Sequence, residues 1–188
     1  MKNRITLFFL LFIASSCQKE EFDILNLNNN QISALGHGGM GIGYTYPMNS
    51  FESILNCLNL GADGTEIDVQ MTKDSVLVAF HDEYLENSTN FSGQIFNKKW
   101  NEISGAVYTD QPYTNYGLIT LDEIFSNISN LTEYTFFLDC KNFNPDTSSA
   151  YLNTFNNALI KIIDKYNLEN NTYIEFKRTD LIRSLKII

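Results

Sequence analysis

Residues Gly64–Met71, read GTEIDVQM, alternate without a break: Thr65, Ile67 and Val69 point one way, Glu66, Asp68 and Gln70 the other. Such a segment is a strand, and its two faces need different surroundings. The side rich in β-branched residues suits a packed layer, whereas a Glu-x-Asp pair lines either solvent or a site.

The neighbouring sequence sets what surrounds this strand. Ile32–Gly36 and Val76–Phe80 are short apolar runs, and Thr135–Leu138 and Tyr173–Phe176 are further strand candidates. Segments with helical spacing lie between them. Asn49 with Glu52 makes a capping-box-like start to a helix over Ser50–Leu60, and Gly61 stands at the C-cap position. Leu121–Ile128, the amphipathic Tyr151–Lys165 and a start at Thr179–Ile187 are the other expected helices. Strand and helix in alternation are the grammar of a parallel α/β fold. The irregular interruption, Asp82–Thr120, is rich in Asn, Ser, Thr, Gly and Tyr. A connection that long is more often functional than a spacer.

The N-terminus stands apart from the fold. Lys2 and Arg4 precede an apolar run, Ile5–Ala14, too short to span a bilayer, and Ala14, Ser15 and Ser16 lead to Cys17. Residues 1–16 have the pattern of a bacterial lipoprotein signal, with Cys17 as the acylated first residue of the mature chain; a secretory peptide that happens to contain a cysteine is the other reading. Residues 17–31 follow as lipidated cysteine and flexible tether, and residues 32–188 as the domain. The expected location is the bacterial cell envelope, anchored by lipid to the outer membrane on its periplasmic or surface face. A net charge of -9 argues against nucleic acid as partner. A small phosphodiester could still enter a pocket where a metal reverses the sign. Cys57 and Cys140 sit in apolar surroundings and are expected to be buried free thiols.

The residues that carry chemistry fall at strand ends. His37 and His81, the two histidines of the chain, each directly follow a short apolar run. Glu66 and Asp68 share one face of a strand, and Asp139 and Lys141 repeat that spacing. In a parallel α/β barrel the C-terminal strand ends converge on the active site, so these positions are expected to meet. Three carboxylates offer hard oxygen ligands suited to Mg²⁺ or Ca²⁺, and zinc is a poorer fit. Two histidines can serve as base and acid, while the metal and Lys141 neutralise charge on phosphoryl oxygens. Singly, each residue has an ordinary reading: a structural histidine, a solvated strand face, a surface salt bridge worth at most about 1 kcal/mol, or, for Asn49, a helix cap. Their joint placement is what points to a site.

Several motifs together resemble one family. Leu35–Gly39 (LGHGG) looks like the first-strand His-Arg-Gly signature of the glycerophosphodiester phosphodiesterases, and Pro47–Ser50 (PMNS) like their Pro-Glu-Asn-Thr. Gly61–Thr72 (GADGTEIDVQMT) is similar to their Glu-x-Asp-Val strand, and Val78–Asp82 (VAFHD) to their Val-x-x-His-Asp. Ile119–Ile124 (ITLDEI) fits the helix that follows, and Phe137–Lys141 (FLDCK) the Glu-x-Lys strand. The resemblance implies a TIM-type barrel, His37 and His81 as the acid–base pair, and Glu66, Asp68 and Asp139 as ligands of a divalent metal. It also implies Lys141 and Asn49 as substrate contacts. The implied reaction is hydrolysis of glycerophosphodiesters, such as glycerophosphocholine, to an alcohol and glycerol 3-phosphate; attack by the 2-hydroxyl through a cyclic phosphate is one route.

Three positions depart from the family pattern. Gly38 replaces an arginine, Met48 a glutamate, and Asp139 a longer Glu. About five strand candidates are present where a full barrel has eight in about 250 residues, so the expected fold is an incomplete TIM-type (β/α) barrel from a C-terminally truncated product or fragment. Two alternatives stay open: a non-catalytic binding lipoprotein on a degenerate barrel, and a phospholipase of the sphingomyelinase D type.

Overall fold

The computed structural model describes residues 32–41, 45–109, 115–146 and 148–176. The expected signal peptide, Cys17, the tether and the helical start at Thr179–Ile187 lie outside them. The chain divides into two units, Met1–Ile32 and Ser33–Ile188, and every element named below belongs to the second.

In chain order these are β1 (Leu35–Gly36), α1 (Phe51–Asn59), β2 (Gly64–Met71), β3 (Leu77–Ala79), α2 (Trp100–Ile103), β4 (Ile119–Thr120), α3 (Leu121–Ser126), β5 (Thr135–Cys140), α4 (Ser149–Tyr166) and β6 (Thr172–Phe176). They build an α/β fold on one six-stranded mixed sheet in the order β4-β3-β2-β5-β6, with β1 also on β2. The long strand β2 organises it. Strands β1 and β5 pair with β2 in parallel, and β6 pairs in parallel with β5.

Strand β3 corrects the expectation of an all-parallel arrangement. It runs antiparallel to β2, with Val69 opposite Ala79 and Met71 opposite Leu77. Only the turn Thr72–Val76 connects them, closed by Thr72 N–H donating to the Val76 carbonyl at 2.9 Å. A parallel crossover needs a dozen or more residues, so this connection can only make a hairpin. The hairpin sends the chain back along β2, and Phe80 N–H donates to the Asp68 carbonyl. His81 therefore reaches the level of Asp68 by returning, not by leaving the end of a parallel strand.

Local sequence sets the helices. Ser50, rather than Asn49, caps α1 by accepting the Ser53 N–H at 3.2 Å. Thr120 and Glu123 form a reciprocal capping box at α3, and Ser148 caps α4. The apolar faces of these helices meet Ile67 and Val69 of β2 and Phe136, Leu138 and Cys140 of β5 in the main core, with Leu152, Phe155 and Leu159 contributed by α4. Cys57 and Cys140 are buried free thiols, as expected. Because side chains alternate along β5, burying Phe136, Leu138 and Cys140 sends Phe137 and Asp139 to the opposite face.

Residues 82–120 hold more structure than their composition suggests. Val78, Phe80, Leu85, Ile95, Ile103, Ala106, Tyr108 and Leu118 close a second small core. Among the described residues no helix is long and apolar enough to cross a membrane.

Gly64 of β2 lies opposite Thr135 of β5. A Cβ there would lie 1.8 Å from the Thr135 carbonyl oxygen, which is backbone and cannot swing aside. Gly64→Ala is expected to destabilise the fold by about 3 kcal/mol, the upper range for forced overpacking, in urea unfolding followed by circular dichroism. An unchanged midpoint would contradict the β2–β5 register.

Candidate active site

The register between β2 and β5 places Asp68 beside Asp139 on the face away from the main core. With Glu66 they form one group in which one carboxylate oxygen from each residue lies within 4.8 Å of the others. Asp139, though a methylene shorter than the glutamate of the family pattern, still reaches it. Lys141 follows two residues on, and its ammonium lies 3.0 Å from Asp68 Oδ1 and closer still to Asp139 Oδ2. The Asp68 and Lys141 side chains are only 1% and 9% exposed, so the surface salt bridge considered for Lys141 is a buried one.

The turn after β1 holds the acidic group from the other side. Gly38 N–H donates to Glu66 Oε2 at 2.7 Å, and Gly39 N–H to Thr65 Oγ1 at 3.1 Å. Ser53 ties the turn to α1 by donating to the Gly38 carbonyl and accepting the Met40 N–H. Gly38 has φ +57, and the Met48 side chain lies where its Cβ would project, 2.9 Å away at the nearest atom. The departures at Gly38 and Met48 are thus neighbours in space. Asn49, buried with φ +64, donates from Nδ2 to Asp68 Oδ2 at 2.7 Å and accepts the Asp68 N–H at 3.0 Å. Its amide is engaged with a carboxylate of the acidic group.

Both histidines stand at the rim. His37 Nδ1 lies 3.4 Å from Glu66 Oε2, and its side chain is 69% exposed. His81 Nδ1 lies 3.0 Å from Asp82 Oδ1, whose other oxygen accepts the Ser88 hydroxyl at 2.9 Å. Gln70 fixes the backbone here by donating to the carbonyls of Phe80 and Asp82. A carboxylate on Nδ1 favours a proton there and leaves Nε2 as the nitrogen free to exchange one. The site thus joins His37, Glu66, Asp68, Asp139, Lys141 and Asn49 through direct contacts, and His81 through the backbone of β2.

Burial first, and then the charge of Asp68, push the Glu66 carboxyl up to about 7. Burial alone would lower the Lys141 ammonium, but the hydrogen bonds it donates to Asp139 and Asp68 outweigh burial and hold it above its ordinary value. Glu66 Oε1 and Asp139 Oδ1 are buried without a hydrogen-bond partner. Once Glu66 is ionised, three carboxylates around one ammonium leave two negative charges unanswered, and orphaned oxygens are what an oxygen-ligated divalent cation would satisfy. The donor set fits such an ion.

Asp82, Ser88 and Tyr108 were not legible as site residues. Asp82 carried a signal in standing next to His81. Tyr108, far along an irregular segment, carried none, yet its hydroxyl donates to the Met48 carbonyl at 3.0 Å. A separate cleft of about 600 Å³ between α4 and the β3–β4 side, lined by Asp74, Thr120, Lys161 and Lys165 among others, contains none of these residues.

Known proteins match the chain along most of its length. A glycerophosphodiester phosphodiesterase of Caldanaerobacter subterraneus subsp. tengcongensis is 28% identical over 143 residues, covering 74% of this chain and 56% of that protein. One from Bacillus altitudinis is 31% identical over 100 residues, covering 52% of this chain and 41% of its own. The chain spans about half the length of the curated relatives it matches. Among solved structures, a glycerophosphodiester phosphodiesterase from Parabacteroides distasonis superposes with a TM-score of 0.67 at 18% identity, covering 81% of this chain and 59% of that one. An Oleispira antarctica phosphodiesterase in complex with sn-glycerol-3-phosphate gives 0.60 at 23% identity, covering 72% and 53%. The profile of the Glycerophosphoryl diester phosphodiesterase family matches residues 40–186, which include every residue of the acidic group, Lys141 and His81, while His37 just precedes the match. With the profile covering most of the sequence and the fold shared with solved members, the chain belongs to the glycerophosphoryl diester phosphodiesterase family.

Proposed function

We propose that the protein hydrolyses glycerophosphodiesters to an alcohol and glycerol 3-phosphate, using His37 and His81 for proton transfer beside a divalent cation. The observation that carries this reading is the buried group Glu66, Asp68 and Asp139, answered by one ammonium. An arrangement so unbalanced in charge has no structural use; it suits the binding of a cation. The complex of the Oleispira relative with sn-glycerol-3-phosphate supports the product class.

Glu66, Asp68 and Asp139 would hold Mg²⁺ or Ca²⁺. When bound, such an ion supplies Lewis-acid neutralisation of phosphoryl oxygens. Lys141, already paired with two of the carboxylates, is placed to offset charge on the same oxygens. Asn49 fixes the rotamer of Asp68 through both atoms of its amide. His81, oriented by Asp82, presents Nε2, and His37 stands at Glu66, so one imidazole can take the proton of the attacking hydroxyl while the other protonates the leaving oxygen.

We also infer an envelope lipoprotein anchored through Cys17, supported by Lys2, Arg4, the apolar run Ile5–Ala14 and the small residues before the cysteine. Palmitate labelling in a bacterial host is expected to mark the chain and to vanish in Cys17→Ala; a label that survives this change would refute the anchor.

Purified chain incubated with glycerophosphocholine is expected to release glycerol 3-phosphate in the presence of Mg²⁺ or Ca²⁺, and to stop on chelation. His81→Ala should lower the rate by about 10²–10⁴-fold, the usual span for a lost general acid or base. Release that ignores both chelator and His81→Ala, or no release at all, would refute the reading. Lys141→Met should destabilise the metal-free protein by about 3 kcal/mol at pH 7, because two buried carboxylates lose their counterion. Added Mg²⁺ should restore much of that loss in thermal unfolding, and a melting temperature that Lys141→Met leaves unchanged would argue against a charge-strained site.

A further inference from the structure

We propose that Tyr108 is a positioning residue for the carboxylate of Asp68, acting through the peptide between Met48 and Asn49. The proposal rests on the reading of Glu66, Asp68 and Asp139 as a cation site. It assigns a role to the 82–120 segment, whose small core holds the tyrosine ring.

The peptide in question is held at both ends. Its carbonyl, on Met48, accepts the Tyr108 hydroxyl at 3.0 Å, and its N–H, on Asn49, donates to the Gly38 carbonyl at 2.9 Å. A trans peptide is a rigid plane, so bonds to its oxygen and its N–H together fix its rotation. That rotation sets φ of Asn49, which stands at +64, a left-handed conformation that an L-residue adopts only when its surroundings impose it. Asn49 in this conformation meets Asp68 twice, at 2.7 Å through Nδ2 and at 3.0 Å through Oδ1. The chain of contacts from Tyr108 to the carboxylate is therefore continuous: hydroxyl, carbonyl, peptide plane, side-chain amide, carboxylate.

The tyrosine suits this task. Its ring packs 6.3 Å from that of Phe80, the residue whose N–H bonds the Asp68 carbonyl, so ring and hydroxyl brace the same stretch of β2 from two directions. Burial, reinforced by the charges of Asp82 and Asp68, keeps the phenol protonated well above its ordinary range, so it stays a donor. Gly38, lacking a side chain, leaves room for the Met48 side chain, which lets the Met48 carbonyl be held from the side of the 82–120 segment.

The test uses the full chain and Ca²⁺ or Mg²⁺ titrated by calorimetry. Tyr108→Phe keeps the ring and removes the hydroxyl; it is expected to weaken cation binding about 5-fold, less than the roughly 10–100-fold seen for direct partners of a metal ligand because it acts one link further out. Asn49→Ala should weaken it by about 10-fold or more. The double variant should match Asn49→Ala alone, because both changes break one chain of contacts. Ile103→Val, which loosens the same small core without touching the peptide, should leave the affinity unchanged. Amide exchange at Asn49 should accelerate in Tyr108→Phe while that of Ile67 and Val69 stays as in the parent. The proposal is overturned if Tyr108→Phe binds as tightly as the parent, if its effect multiplies with that of Asn49→Ala, or if Ile103→Val weakens binding equally. A parent chain that binds neither cation overturns the cation site itself, an outcome distinct from a parent that binds and a Tyr108→Phe that binds equally.

Discussion

The pairing of β2 with β5 in one parallel register governs most of what this protein can do. Asp68 and Asp139 are direct partners in that register, and alternation within each strand puts both on the face turned away from the helices. A slip of one residue would turn these carboxylates into the packed core and bring Ile67 or Leu138 to the site. The apolar alternation that buries Phe136, Leu138 and Cys140 against α4 therefore also holds the acidic group in place. Core and site are two readings of the same strand, which explains why the fold tolerates a cluster of like charges that has no packing value.

That cluster is costly by itself. Lys141 answers part of the charge, hydrogen bonds from Gly38 and Asn49 answer more, and Glu66 is still pushed up to about 7 by burial and its neighbours. Each partner comes from a different place: the turn after β1, the segment before α1, and the end of β5. The site thus fastens together parts of the chain distant in sequence, and on the proposed reading a divalent cation completes the fastening. Stability and cation binding are then coupled through the same groups.

The sequence made β2 legible to the residue, because strict alternation over Gly64–Met71 admits no other element, and strong amphipathic spacing located α4. The joint placement of Glu66, Asp68, Asp139 and Lys141 followed from their i, i+2 spacing on two strands together with the convergence of strand ends expected of a parallel α/β fold. Three features did not. The antiparallel course of β3 depends on how few residues join it to β2, a constraint that an apolar run by itself does not display. Asn49 reads as a helix cap because Glu52 follows three residues later, yet Ser50 takes that role and frees Asn49 for Asp68. The second core escaped notice because its apolar residues, Leu85, Ile95, Ile103 and Leu118, are spread through polar sequence with no helical or strand period. The 3₁₀ turns Leu85–Asn87 and Ile95–Asn97 and the isolated bridges of Thr89 with Tyr108 and of Val107 with Gly117 leave no periodic trace.

The departures at Gly38 and Met48 gain sense from being neighbours. Against the family pattern, position 38 lacks a positive charge and position 48 a negative one, so together the two departures leave the net charge of this corner unchanged. The Met48 side chain lies where a side chain on Gly38 would begin, so the space beside the turn is filled by an apolar group. On the proposed reading, phosphoryl oxygens then meet Lys141 and the bound cation but no guanidinium from position 38. Positioning must come from elsewhere, and the backbone of the turn supplies it: Gly38 directs its N–H at Glu66 and its carbonyl at Asn49. In this corner geometry is kept by hydrogen bonds to the main chain, and the positive φ of Gly38, with Met48 filling the space beside it, is what lets the backbone turn to make them.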